Sequence, residues 1–256
     1  MNVKTEVLER CERCGEPVKL KITHDGKERE AVVLARCACV EKIREREELD
    51  ALAEERQTAA ERKAKENRQE CFNDQRTSGS RFDNDLRPKS NISLTARKYA
   101  KNFNRHRLNG EGLLICGAVG TGKTFYAACI ANEIIDRGNK ILFTNMSKII
   151  DHIDADFKGK QERLESLAKY DLVIIDDFGV ERLTDYTKEK ITAVIDCLYR
   201  HKVPLIITSN KNLAVAPADA DLFIQRISNR LIEMCAPVKT GGENMRERKA
   251  KERYKT

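Results

Sequence analysis

The sequence has no tryptophan, only 5% aromatic residues and five prolines in 256 residues. It has no apolar run near the roughly 18 residues needed to cross a bilayer, which excludes a membrane-spanning helix. The opening Met-Asn-Val-Lys-Thr-Glu lacks the apolar segment of a signal peptide. With a mean hydropathy of −0.59, these absences point to the cytoplasm, where thiols stay reduced. The nine cysteines therefore need an account other than disulfides. Cys116, Cys129 and Cys197 sit among apolar neighbours and read as small buried hydrophobes. Cys71 and Cys235 are scattered singly. The other four fall in two close pairs near the start.

Charge is unevenly spread over a net +7. Residues 41–70 carry 8 basic and 10 acidic side chains, residues 81–107 carry 8 and 2, and residues 239–256 carry 7 and 3. Two basic segments suit a polyanion partner; ordinary solvated lysines and arginines account for them equally well.

Three regions precede the main domain. Residues 1–40 hold the cysteine pairs and a short β-like stretch, Ala31 to Ala35. Residues 41–70 contain neither Pro nor Gly and favour helix, but apolar positions are sparse, which predicts a charged, solvated arm. Residues 71–92, with Ser, Gly, Asn, Asp and Pro, read as a linker. From residue 93 to 256, short apolar runs alternate with amphipathic helices. Strands are expected at 113–116, 141–144, 172–176 and 203–208, with helices over 93–105, 123–136, most of 147–169 and 187–200. Continuous apolar strands alternating with helices predict an α/β fold with a parallel sheet flanked by helices, and a site at the C-terminal ends of its strands.

Gly117, Ala118, Val119, Gly120, Thr121, Gly122, Lys123 and Thr124 match G-x-x-x-x-G-K-[ST], between a strand and a helix. The chemistry needs these types. Glycines let backbone N–H groups turn around a phosphate, and a helix N-terminus favours anions. Lys123 can reach the β- and γ-phosphates of ATP, and Thr124 can ligate Mg²⁺. The run Leu172 to Ile175 then ends in Asp176 and Asp177. On the reading that follows, Asp176 holds Mg²⁺ through water and Asp177 orients or deprotonates the attacking water; the plainer alternative is a strand followed by a capping turn. The third strand ends at Asn210, which can hydrogen-bond the γ-phosphate or water, or simply occupy a turn.

The stretch from about Phe82 to Arg246 resembles the AAA+ ATPases of the DnaC/DnaI helicase-loader group, close to the IstB transposition helpers. The resemblance is carried by Gly117–Thr124, by Leu172–Gly179 with its Asp-Asp-Phe-Gly, by Ile207-Thr208-Ser209-Asn210, by Gln225–Leu231, and by Gly242-Glu243-Asn244-Met245-Arg246. It implies an AAA+ P-loop ATPase domain with Asn210 as the polar sensor and Arg246 as a second sensor. It further implies Arg230, with Arg226 beside it, as an arginine finger acting on a neighbouring subunit. Many AAA+ proteins have Glu where this chain has Asp177, which implies slow, partner-stimulated hydrolysis. The function implied is ATP-dependent loading of a replicative hexameric helicase onto single-stranded DNA. An IstB-like transposition helper, or a non-hydrolysing nucleotide-dependent DNA-binding adaptor, are the alternatives.

Cys11 and Cys14, with Cys37 and Cys39, can supply four thiolates to a tetrahedral Zn²⁺. Thiol redox chemistry is the competing use, but no thioredoxin-like βαβ surrounds them. A module of 40 residues with no sizeable core needs such a staple, and the DnaI-type loaders resemble this chain in having an N-terminal zinc module that engages the helicase. In the same family the region between the second and third strands contacts single-stranded DNA, which makes Lys158 and Lys160 candidates; a solvated helix end is the alternative.

Overall fold

The computed structural model describes residues 3–24, 27–34, 37–72, 75–156, 159–215 and 220–253. The chain divides into two compact units, residues 1–59 and 60–256.

The first unit holds three antiparallel strands in the order β1-β2-β3: β1 (Val3–Arg10), β2 (Pro17–His24) and β3 (Lys27–Leu34). A turn between β1 and β2 is closed by the Cys11 N–H donating to the Glu16 carbonyl at 2.8 Å. Only β3 overlaps the strand expected from the sequence; β1 and β2 are additional. Helix α1 (Ala38–Cys71) is the long charged helix expected over 41–70. Among its described residues, those from Arg44 to Lys63 are exposed, and i,i+4 pairs such as Arg44–Glu48 and Arg62–Glu66 run along it.

The second unit opens with the end of α1 and with α2 (Gln75–Ser78), then α3 (Asn91–Lys101), α4 (Phe103–Asn109), β4 (Gly112–Gly117), α5 (Lys123–Ile135), β5 (Ile141–Thr144), α6 (Met146–Asp154), α7 (Lys160–Glu165), β6 (Leu172–Ile175), α8 (Asp185–Arg200), β7 (Leu205–Ser209), α9 (Leu222–Met234), β8 (Cys235–Thr240) and α10 (Met245–Arg253). The five strands form one parallel sheet in the order β5-β6-β7-β4-β8. Strand β8 is absent from the sequence reading.

The sheet is buried on both faces, and alternate residues serve opposite layers. Leu113, Ile115, Leu172, Ile174 and Ile206 pack with the apolar sides of α3 and α5. Leu114, Cys116, Val173, Ile175, Leu205 and Ile207 pack with α6, α8 and α9. Residues 71–92, expected as a linker, contribute Phe72 and Phe82 to the first of these layers. The strand order matters for chemistry: β7 lies between β4 and β6, so its polar end is interposed between the phosphate-binding loop and the acidic pair.

Candidate nucleotide site

The loop after β4 closes into α5 at Lys123. Gly120 takes φ +79°, and a Cβ there would lie 1.9 Å from Asn244 Oδ1, so the position favours glycine. Lys123 is 5% exposed. Its ammonium donates to the Gly117 and Ala118 carbonyls, each at 3.0 Å, and to Asn210 Oδ1 at 2.6 Å. Burial lowers its pKa and Arg246 adds to this; Asp177 and Asp176 act the other way.

Asp176 follows the last residue of β6. Its Oδ1 accepts from Thr124 Oγ1 at 3.0 Å and from Thr208 Oγ1. Burial, helped by the neighbouring Asp177 charge, raises its pKa against the hydrogen bonds from Thr208 and Thr124. Thr208 is fully buried and also accepts from the Asp177 N–H at 2.9 Å. One hydroxyl thus fixes both members of the acidic pair. Asp177 itself has φ +53°, a left-handed conformation uncommon outside glycine and found where a turn must redirect the chain.

A cavity of about 850 Å³ is bordered by Val119, Gly120, Gly122, Lys123, Thr124, Asp177, Asn210 and Arg246. Three strand ends and the start of α10 therefore converge on one space. The same cavity is bordered by Thr77, Gly79, Ser80 and Asn84 from the segment before α3, and by Phe125 and Met245. Met245 lies inside the Gly242–Arg246 motif without having been singled out, and nothing in the local pattern marks the other five. Thr208 lay inside a quoted motif, and a Thr ending an apolar strand is the signal that could have singled it out.

Of the described residues assigned by the resemblance, Asn210 and Arg246 border the cavity and the others do not. Arg230, on α9, does not border this cavity. Its guanidinium pairs with Asp196 at 3.4 Å and Glu233 at 3.3 Å and lies 4.1 Å from the Tyr199 ring centroid, while Arg226 pairs with Asp196 at 2.7 Å. Lys160 pairs with Asp154 at 3.0 Å, which raises its pKa. Lys158 lies outside the described residues.

In the first unit, Cys11, Cys14, Cys37 and Cys39 present sulfurs all within 4.8 Å of one another. Cys39 Sγ lies 3.1 Å from Cys37, 3.3 Å from Cys11 and 3.5 Å from Cys14. N–H groups of Arg13 and Cys14 lower the Cys11 pKa to about 6, while the surrounding sulfurs raise that of Cys39. Four converging thiols, one of them favoured as thiolate by backbone amides, fit a tetrahedral Zn²⁺. Thr124 and Asp176, already in contact, likewise fit the ligand pair for a nucleotide-bound Mg²⁺.

The sheet order and the cavity define a P-loop nucleotide-binding domain of the AAA+ class. The crystal structure of the DnaC helicase loader has the same fold, with a TM-score of 0.55 and 24% identity over 66% of this chain and 100% of that one. The chain belongs to the family of IstB-like ATP binding proteins, whose sequence pattern matches residues 26–253. It is similar to the replicative helicase loader DnaC of Escherichia coli (strain K12), 29% identical over 127 residues, covering 48% of this chain and 51% of that protein. It is also similar to the replicative helicase loader DnaI of Bacillus subtilis (strain 168), 22% identical over 149 residues, covering 54% and 48%. The chain thus spans about half the length of the curated relatives it matches. Among the described residues, no helix is long and apolar enough to cross a membrane.

Proposed function

We propose that this chain is an ATPase that loads a replicative DNA helicase onto single-stranded DNA. The observation that carries the reading is the convergence of Lys123, Thr124, Asp177, Asn210 and Arg246 on one cavity in a chain whose relatives are named replicative helicase loaders.

On this reading the loop amides of Gly117–Thr124 take the phosphates of ATP. Lys123 exchanges the Gly117 and Ala118 carbonyls and Asn210 for the β- and γ-phosphate oxygens. Its low exposure means that little water must be displaced, and its hydrogen-bonding needs are then met by the substrate. Asp176, held by Thr124 and Thr208, keeps its carboxylate aimed at the metal position, where Mg²⁺ would offset phosphate charge. Asp177 orients the attacking water, and Asn210, released from Lys123, hydrogen-bonds that water or the γ-phosphate. Arg246 adds positive charge from the α10 side. Arg230 would leave Asp196 and Glu233 to serve the nucleotide of a neighbouring subunit; its contacts within the chain are surface pairs of modest strength, so the exchange is inexpensive. The Asp177 side chain is one methylene shorter than Glu, which supports a slow switch rather than a fast motor.

The zinc module is the proposed helicase contact, and the basic segments, with Lys158 and Lys160, the proposed DNA contact. Affinity capture with the full chain tests the reading. Recovery of a hexameric replicative helicase, and ATP-dependent transfer of that helicase to single-stranded circles, is the expected result. Recovery of a transposase instead favours the IstB-type transposition role.

A further inference from the structure

Arg87 lies in the loop before α3, outside every motif in the sequence, yet it joins three segments around the nucleotide loop. Its backbone is set first. The Arg87 N–H donates to Asp85 Oδ1 at 2.8 Å. The same carboxylate accepts from the Tyr126 hydroxyl at 2.8 Å and from Ser93 Oγ at 2.5 Å. Tyr126 is buried in the first turn of α5, so Asp85 anchors the loop to the helix that the phosphate loop opens.

The guanidinium then reaches two backbone carbonyls: Nη2 donates to Thr121 and Nη1 donates to Gly241 at 3.0 Å. Gly242, at φ +102°, leaves the room, since a Cβ there would lie 2.9 Å from Nη1. The turn after β8 also touches the loop directly. The Met245 N–H donates to the Gly120 carbonyl at 2.9 Å, and the Thr121 and Thr240 hydroxyls are 2.7 Å apart.

The geometry points to Arg87 as a positioning residue for the phosphates, an inference that rests on the nucleotide reading of the cavity. A trans peptide points its carbonyl and the following N–H in opposite directions within one plane. Holding the Thr121 carbonyl toward Arg87 therefore turns the Gly122 N–H the other way, and Gly122 borders the cavity. The bond from Met245 to the Gly120 carbonyl does the same for the Thr121 N–H. Arg87 also fixes Gly241, at the start of the turn that delivers Arg246 to the cavity. Its fork geometry suits two carbonyls at once; a lysine is a point donor and cannot reproduce it. The guanidinium thereby preorganises an anion-binding amide and a cationic side chain before ligand arrives.

The test measures the Kd of a fluorescent ATP analogue, and the melting temperature without nucleotide, for wild type, Arg87→Ala, Arg87→Lys and Arg87→Gln. Charge-assisted hydrogen bonds of this kind predict about 10- to 100-fold weaker binding for Arg87→Ala, with Arg87→Lys in between. A purely structural role lowers the melting temperature and leaves the Kd of the folded protein unchanged, and that outcome overturns the assignment. If Arg87→Ala does not fold, the Lys and Gln variants decide: wild-type affinity in both overturns it, and weakened affinity in both supports it. Wild type that binds no nucleotide overturns the reading of the cavity and the role of Arg87 together. Wild type that binds while every folded Arg87 variant binds equally overturns the role of Arg87 alone.

Discussion

Lys123 and Asn210 are joined across neighbouring strands, the ammonium donating to the amide oxygen at 2.6 Å. The only charged side chain of the phosphate-binding loop is thus held by the polar end of β7. On the proposed reading an arriving phosphate competes with that bond, and Asn210 is freed as Lys123 turns to the ligand.

Lys123→Ala should abolish nucleotide binding and leave the fold. Its ammonium contacts two loop carbonyls and Asn210 rather than the apolar layers. Burial disfavours its charge, so removal relieves a desolvation cost. A fluorescent ATP analogue should bind about 100-fold more weakly or worse, as expected for loss of a charge-assisted contact. Unchanged affinity refutes the assignment of the loop.

Asp176→Asn should separate stability from activity. The folded-state pKa of Asp176 is raised, chiefly by burial. A carboxyl raised in this way contributes stability fully present below its unfolded pKa and lost as pH rises through the folded value. At neutral pH its charge is therefore a burden on the fold. Asn keeps an oxygen for Thr124 and Thr208 without that charge. The nucleotide-free melting temperature should stay level or rise at pH 7, and the advantage should vanish in acid. Magnesium-dependent hydrolysis should be lost. A large drop in melting temperature at pH 7 contradicts the burial argument.

Protein purified without chelators should hold one Zn²⁺ through Cys11, Cys14, Cys37 and Cys39. Structural zinc supplies about 10–16 kcal/mol to small modules. Cys11→Ser with Cys14→Ser should eliminate the metal and unfold the three-stranded sheet while sparing ATP binding, because the cavity is built wholly from residues of the second unit. Elemental analysis showing no zinc in the wild type ends the idea.

Arg230→Ala should abolish hydrolysis and leave ATP binding nearly intact. An arginine finger contributes about 10³–10⁵ in rate in related NTPases, acting on transition-state charge rather than the ground state. The competing role is local: Arg230 pairs with Asp196 and Glu233 and covers Tyr199. That role predicts a small loss of melting temperature at normal rate. Mixing Arg230→Ala subunits with Lys123→Ala subunits discriminates, since shared sites restore hydrolysis only if the finger acts across subunits.

The parts of the fold visible in the sequence are those whose local pattern and tertiary environment agree. Strands β4, β6 and β7 are buried on both faces and read as unbroken apolar runs. Strand β8, Cys-Ala-Pro-Val-Lys-Thr, is an edge strand with only every second or third residue buried and a proline inside it, a composition that argues against a strand. Strand β1 sets Val7 beside Leu8, leaves both exposed and so breaks the strand period, whereas β2 alternates Val18, Leu20 and Ile22 with polar residues, a period-2 signal that was there to be read. The segment 71–92 has the composition of a linker. Its order comes from contacts remote in sequence, such as Arg87 to Thr121 and Gly241 and Arg97 to the Phe82 carbonyl. The phosphate loop was legible because its chemistry demands one contiguous pattern; the residues that brace it come from four separate segments.

Helix α9 passes into β8 without an intervening loop: Met234 ends the helix and Cys235 begins the strand. Strand β8 is hydrogen-bonded to β4 along its whole length, and beyond it comes the turn that rests on the phosphate loop. There is no slack between the helix bearing Arg230 and that turn. The Gly241–Gly242 bend that follows β8 is the point where glycine permits rotation at the least cost. The junction thus leaves a short covalent route from the helix bearing Arg230 to the turn on the phosphate loop, with β8 held in register against β4 along the way.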